Sequence, residues 1–206
     1  KQYKKTRSPK EFCFRPNHRF LVYFAIDHYE AWMTTTLKGD DTFFMPFNQG
    51  SNGAGKPGGA GNPVNENGYA TSYLWEQVLQ KDSLLDIIYR FISYNKGKLI
   101  FPRYHQYDVV RKLLAYVKEN GVGTNYLIEH SAGSGKSNSI AWTAYRLASV
   151  HDNNDEPIFN SVIVVTNRVV LDSQLQDTIN SFELWWCIFI FKIQKSYIAT
   201  NGILFS

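Results

Sequence analysis

Cysteine is nearly absent. Cys13 and Cys187 are the two cysteines among 206 residues, and they stand far apart in no metal-like spacing. That excludes a disulfide scaffold and a zinc site, and it predicts a reducing, cytoplasmic compartment. No methionine opens the chain, and no apolar stretch follows the basic start Lys1-Gln2-Tyr3-Lys4-Lys5. A secretory leader is therefore not expected, and the chain is expected to begin inside a longer protein. The longest apolar run near the end, residues 184–191, is far shorter than the roughly 20 residues a bilayer-spanning helix requires. No membrane anchor is expected. Internal repeats are also lacking.

Apolar residues make up 44% of the chain and charged residues 19%, a balance suited to a buried core and wrong for a disordered polymer. The length accommodates one large domain or two small ones. The net charge is +4, and eight Lys or Arg fall in residues 1–40 against four carboxylates. Such an excess suits either a solvated surface or a face turned toward nucleic acid.

Residues 126–137 read YLIEHSAGSGKS. An apolar run (Tyr126, Leu127, Ile128) enters a glycine-rich turn that opens into SNSIAWTAYRLASV, a helix-like segment. Strand, glycine turn and helix carrying Gly135-Lys136-Ser137 form the pattern of a phosphate-binding P-loop. Glycines let successive backbone N–H groups aim at one phosphate, and the helix adds the positive end of its dipole. The core is Gly133, Ser134, Gly135, Lys136 and Ser137. Lys136 brings a point charge to the β/γ-phosphates of ATP, and the Ser137 hydroxyl is the Mg²⁺ ligand. The general pattern places a glycine where His130 stands; a chance glycine turn before a helix is the bland alternative. Gly53-Ala54-Gly55-Lys56 imitates the motif, but Pro57 replaces the hydroxyl residue and no strand leads in. Residues 50–61 read as a flexible surface loop.

Residues 20–26 and 29–35 read as a hairpin around Asp27-His28. Residues 72–95 read as a helical pair broken at Asp82-Ser83, with Leu84, Leu85, Ile88 and Phe91 in the core. An amphipathic helix spans 106–119, with Val109, Val110, Leu113, Leu114 and Val117 inward. The P-loop strand (about 125–129) and helix (about 136–149) follow. Then come a buried strand over 161–166 and a helix from about 171 to 182. This order predicts an α/β fold with a partial parallel sheet around the P-loop.

Two further segments carry chemistry. In Phe101-Pro102-Arg103-Tyr104-His105-Gln106, the Gln106 amide can pair with adenine N6 and N7, and Arg103 or Tyr104 can stack on the base. The alternative is a polar residue at a helix start. Thr166, Asn167 and Arg168 follow a strand at its carboxyl end, where open α/β sheets bind ligands. They can hold nucleic acid phosphates or cap the next helix.

The order RYHQ, AGSGKS, VVTNRVVLDSQL resembles superfamily 2 helicases. With LKGDDTFFMPFNQG, GGAGNP, GYATSYLWEQVL and FPRYHQYDVV, the chain over residues 1–183 resembles the restriction subunit of type I restriction–modification enzymes. The resemblance implies a PD-(D/E)xK nuclease domain, RecA-like motor lobes, translocation of duplex DNA with ATP and Mg²⁺, and modification (methyltransferase) and specificity subunits as partners. It implies the trailing β/α part of the nuclease domain in residues 1–45, and a glycine-rich loop and helical linker in 46–98. Residues 99–183 then form the start of the first RecA-like lobe. No Asp or Glu here is followed two residues later by Lys, so the nuclease carboxylates are not in this chain. The DExH carboxylates are missing too; Asp155-Glu156-Pro157 lies in a polar loop. No catalytic residue is expected within this fragment. Residues 184–206 show no helical or strand period and read as a non-native tail from an interrupted reading frame. Two other readings stand beside this one: a non-catalytic module docking modification subunits, and a DNA helicase or ATPase without a nuclease.

Overall fold

The computed structural model describes residues 2–15, 19–95, 97–166, 179, 188–192 and 203–205. The chain forms two compact units, residues 1–105 and 106–206.

The first unit is built on an antiparallel sheet. Strands β1 (Tyr23–Ile26) and β2 (Ala31–Thr34) pair with Ile26 opposite Ala31, and β3 (Met45–Pro46) joins β2. The expected hairpin is present, and the Asp27 side chain explains why Asp-His suffices as its turn. Its Oδ1 accepts the N–H groups of Tyr29 and Glu30, both at 2.8 Å. An Asx-type turn of this kind replaces the glycine a tighter hairpin needs. Ala31 and Met33 point into the core, and Phe24, Phe47, Phe101 and Tyr104 meet edge to face or tilted around them.

The glycine-rich segment is not a flexible loop. Gly50 N–H donates to Gly61 O at 2.9 Å and Ser51 N–H to Gly59 O at 3.0 Å. Two asparagines then pin it to the hairpin. Asn48 Oδ1 accepts Ala31 N–H, while Asn62 donates to Tyr29 O and accepts Gln49 N–H. Composition favours flexibility here; these bonds to residues well removed in sequence override it.

A π-helical turn (Leu74–Val78) leads into α1 (Lys81–Arg90). The break falls at Leu79 and Gln80, not at Asp82-Ser83, because Gln80 takes the extended conformation ahead of the helix. The buried stripe is Ser83, Ile87 and Phe91, at i, i+4, i+8 spacing. Leu85 and Ile88, expected in the core, are exposed, since they lie off that stripe by the 100° per residue of helical phase. The helix ends at Arg90, and residues 93–95, expected as the end of a helix, are instead β4 (Ser93–Asn95), which pairs antiparallel with β5 (Lys98–Ile100).

The division between the units falls in the first turn of α2 (Tyr104–Asn120). Val110, Leu113, Leu114 and Val117 are buried as the periodicity predicts, and Val109 is half-buried. The second unit continues with β6 (Tyr126–Ile128), α3 (Lys136–Ala148) and β7 (Val162–Thr166). Two short strands lie in the segment read as an aperiodic tail: β8 (Ile188–Lys192) and β9 (Ile203–Phe205). β8 runs parallel to β7, and β9 runs parallel to β6.

The fold is mixed α/β. The expected single parallel sheet is, among the described residues, two separate parallel pairs, and the largest sheet of the chain is antiparallel. α3 packs against β7 and β8. Ile163 and Val165 are exposed although the run was expected to be buried, because alternate side chains of a strand leave for opposite faces. The helix expected over 171–182 lies outside the described residues, apart from the helical, buried Ile179. No described helix is long and apolar enough to cross a membrane.

Candidate nucleotide site

Three residues of β6 deliver the chain into the turn at residues 129–135. Gly133 (φ +74°) and Gly135 (φ +86°) both take the left-handed conformation that L side chains resist. Gly135 is the residue from which α3 springs, and Lys136 and Ser137 occupy the helix's first turn. Of the four N–H groups at this helix start, that of Asn138 donates to Gly135 O at 3.0 Å, and the others stand under a positive dipole end. An anion fits such a cradle.

The positive φ of Gly135 strains any L side chain placed there. A Cβ there would fall 2.5 Å from Gln106 Nε2, in addition to the backbone strain. His130 has no such demand, since the sole described non-glycine residue with positive φ is Asp155. That is why the loop tolerates histidine where the general pattern places glycine.

Gln106 comes from the first turn of α2 and is 3% exposed. Its Nε2 donates to Gly135 O at 2.9 Å and to Ser134 O at 3.2 Å. The structure thus joins Gln106 to the P-loop, a contact the sequence reading missed; the spacing of RYHQ ahead of GSGKS was its one signal. Ser134 is buried, and Ser137 is half-buried.

Lys136 reaches back along the loop, donating from Nζ to His130 O at 3.0 Å. Burial, and then the Lys136 charge, hold the His130 imidazole below its ordinary range, which favours the neutral ring. Nothing in the sequence pointed to this backbone partner for Lys136.

Arg103 is half-buried in the last residues of the first unit. Tyr104, considered beside it as a base-stacking ring, is 4% exposed and packed between Phe47 and Tyr73. Its ring belongs to the core of the first unit. Thr166 ends β7 at its carboxyl end; Asn167 and Arg168 lie outside the described residues.

Asp155 and Glu156 sit in a loop that closes on itself. Asp152 Oδ1 accepts the N–H groups of Asn154 and Glu156, and those bonds hold its carboxyl below the usual range. No group of three His, Cys, Asp or Glu able to hold a metal occurs among the described residues. An open cleft of about 460 Å³ between α2 and β6 is lined by Val109, Leu113, Tyr116 and Tyr126, and none of residues 133–137 contributes to it.

A strand, a left-handed glycine turn and a helix led by Gly-Lys-Ser define a nucleotide-binding P-loop unit within an α/β chain. Residues 105–195 match the family model described as SWI2/SNF2 ATPase. The match supports the superfamily 2 helicase class, the class of ATP-using motors, and it runs past the end of the expected lobe fragment at residue 183. Among curated proteins, none matches the chain.

Proposed function

We propose that this chain is part of the ATP-dependent translocase and endonuclease subunit of a type I restriction–modification system. The observation that carries the motor reading is the geometry at residues 133–137: two left-handed glycines opening a helix whose first residues are Lys136 and Ser137. In this reading Gly133, Ser134 and Gly135 wrap the phosphates, Lys136 neutralises the β/γ charge, and Ser137 holds Mg²⁺. Gln106 and Arg103 meet the adenine. The Gln106 bonds to the Ser134 and Gly135 carbonyls would then tie base recognition to the shape of the phosphate loop. Thr166, Asn167 and Arg168 hold the backbone of duplex DNA.

The restriction assignment rests on the segments outside the motor, residues 1–45 as the end of a nuclease domain among them. Modification and specificity subunits are the proposed partners, in the cytoplasm. The chain alone lacks the carboxylates for water activation and for DNA cleavage. It therefore binds nucleotide and does not turn it over efficiently. Because the family match concerns the motor and not the nuclease, a helicase without nuclease is the second reading. A D…(D/E)xK cluster encoded ahead of Lys1 separates the two.

Binding of a fluorescent ATP analogue with Mg²⁺, beside Lys136→Ala, tests the site. Saturable binding weakened at least tenfold in the variant is expected, since a charged phosphate partner contributes about 1.5–3 kcal/mol. Equal binding by both proteins would remove the P-loop from the reading.

A further inference from the structure

Charge is distributed very unevenly along this chain. Residues 1–19 contain seven of its 22 Lys and Arg and one of its 18 carboxylates, so the other 187 residues carry a slight acidic excess. The one carboxylate, Glu11, is already engaged: Arg7 grips both of its oxygens, at 2.9 Å from Nε and 2.5 Å from Nη2. Lys4, Lys5, Lys10, Arg15 and Arg19 are all exposed. No carboxylate occurs again before Asp27.

Aromatic rings are exposed among these cations. Phe12 is 55% exposed and Phe20 is 47% exposed. Two guanidinium groups lie over one of them, Arg15 at 5.9 Å and Arg19 at 5.5 Å from the Phe12 centroid. Phe20 is anchored by tilted or edge contacts to the buried Phe14 and Tyr23. Phe12 and Phe20 add partly exposed apolar rings to this cationic surface, an exposure to water that is unfavourable. A duplex offers phosphates but hides its base faces. A single strand offers both phosphates and open π faces, which matches rings interleaved with cations.

We infer that the N-terminal face around Phe12, Arg15, Arg19 and Phe20 binds single-stranded nucleic acid, with phosphates on the cations and a base stacked on Phe12. The face lies wholly within the first unit.

The test uses the full chain and fluorescence anisotropy of a labelled oligothymidylate of about 16 nucleotides, with a duplex of equal length as competitor. Binding is measured from about 50 to about 200 mM salt. The single strand is expected to bind tighter than the duplex. Arg15→Ala with Arg19→Ala should flatten the log K against log salt slope by about 1.4, since each lost phosphate contact removes about 0.7. Phe12→Ala should weaken binding about tenfold without changing that slope. Unchanged urea midpoints show that the variants fold. Duplex preferred over single strand, a silent Phe12→Ala, or an unaltered slope in the arginine variant would each overturn the inference. The readout needs no nucleotide, so failure of the ATP-binding reading leaves it standing.

Discussion

Gly135 concentrates the local constraints of this chain in one residue. Its φ of +86° excludes ordinary side chains, and the Gln106 amide fills the space a methyl would need. Gly135→Ala is expected to destabilise the chain by about 1–3 kcal/mol and to abolish binding of the ATP analogue. Adding Gln106→Ala should restore the part due to crowding and leave the backbone strain. A urea midpoint for Gly135→Ala within error of the parent would refute the strain argument. His130 sets a pH limit nearby. Its folded imidazole sits below the ordinary value of about 6.5, with burial the larger cause and the Lys136 charge the smaller. The unfolded chain therefore takes up the proton first. Stability from this group is complete above pH ~6.5 and is lost as the pH falls below it toward the lower folded value. His130→Gln should lose less stability than the parent between neutral pH and pH ~5.5. Urea melts at the two pH values decide this, and parallel losses in both proteins would count against it.

Among the elements, α1 gives the sharpest contrast between neighbours. Ile87 is fully buried and Leu85 is 54% exposed, two residues apart on one helix. Ile87→Ala should cost about 2–5 kcal/mol, and Leu85→Ala within about 0.5 kcal/mol. Comparable losses at both positions would mean that the helix is turned otherwise. Elements that depend on near neighbours were legible in the sequence. The β1–β2 hairpin needs a local turn, α2 has a clean apolar period, and the P-loop strand and helix bracket a motif with fixed spacing. Less was legible where local signals compete. Residues 93–95 are polar-aromatic and suit helix or strand, so the sequence favours extending the helix over what is β4. The phase of α1 depends on Gln80 starting it, which no capping residue announced. The tail held no period, yet five of its residues pair with β7 in parallel.

On the scale of the molecule, the glycine turn and helix start at residues 133–137 and the basic aromatic face belong to different units, residues 106–206 and 1–105. The site itself was largely legible, because a phosphate cradle is made by consecutive backbone atoms. Its support was less so: the Gln106 amide reaches Gly135 across 29 positions, and Lys136 reaches a carbonyl that any residue could supply. Long-range bonds also explain the glycine-rich loop, whose composition gave the opposite impression. Asn48 and Asn62 clasp its base, and nearer the tip Asn52 Nδ2 donates to Pro57 O at 2.6 Å and Lys56 N–H donates to Gly53 O. The clasp makes this loop a port for grafting. A short peptide tag spliced between Gly55 and Lys56 should leave the melting temperature nearly unchanged, since doubling a loop's length costs about 0.6 kcal/mol. The same tag beside Asn62 should lower it by several degrees, and a scan of both insertions by thermal melt would show whether the tip can carry cargo.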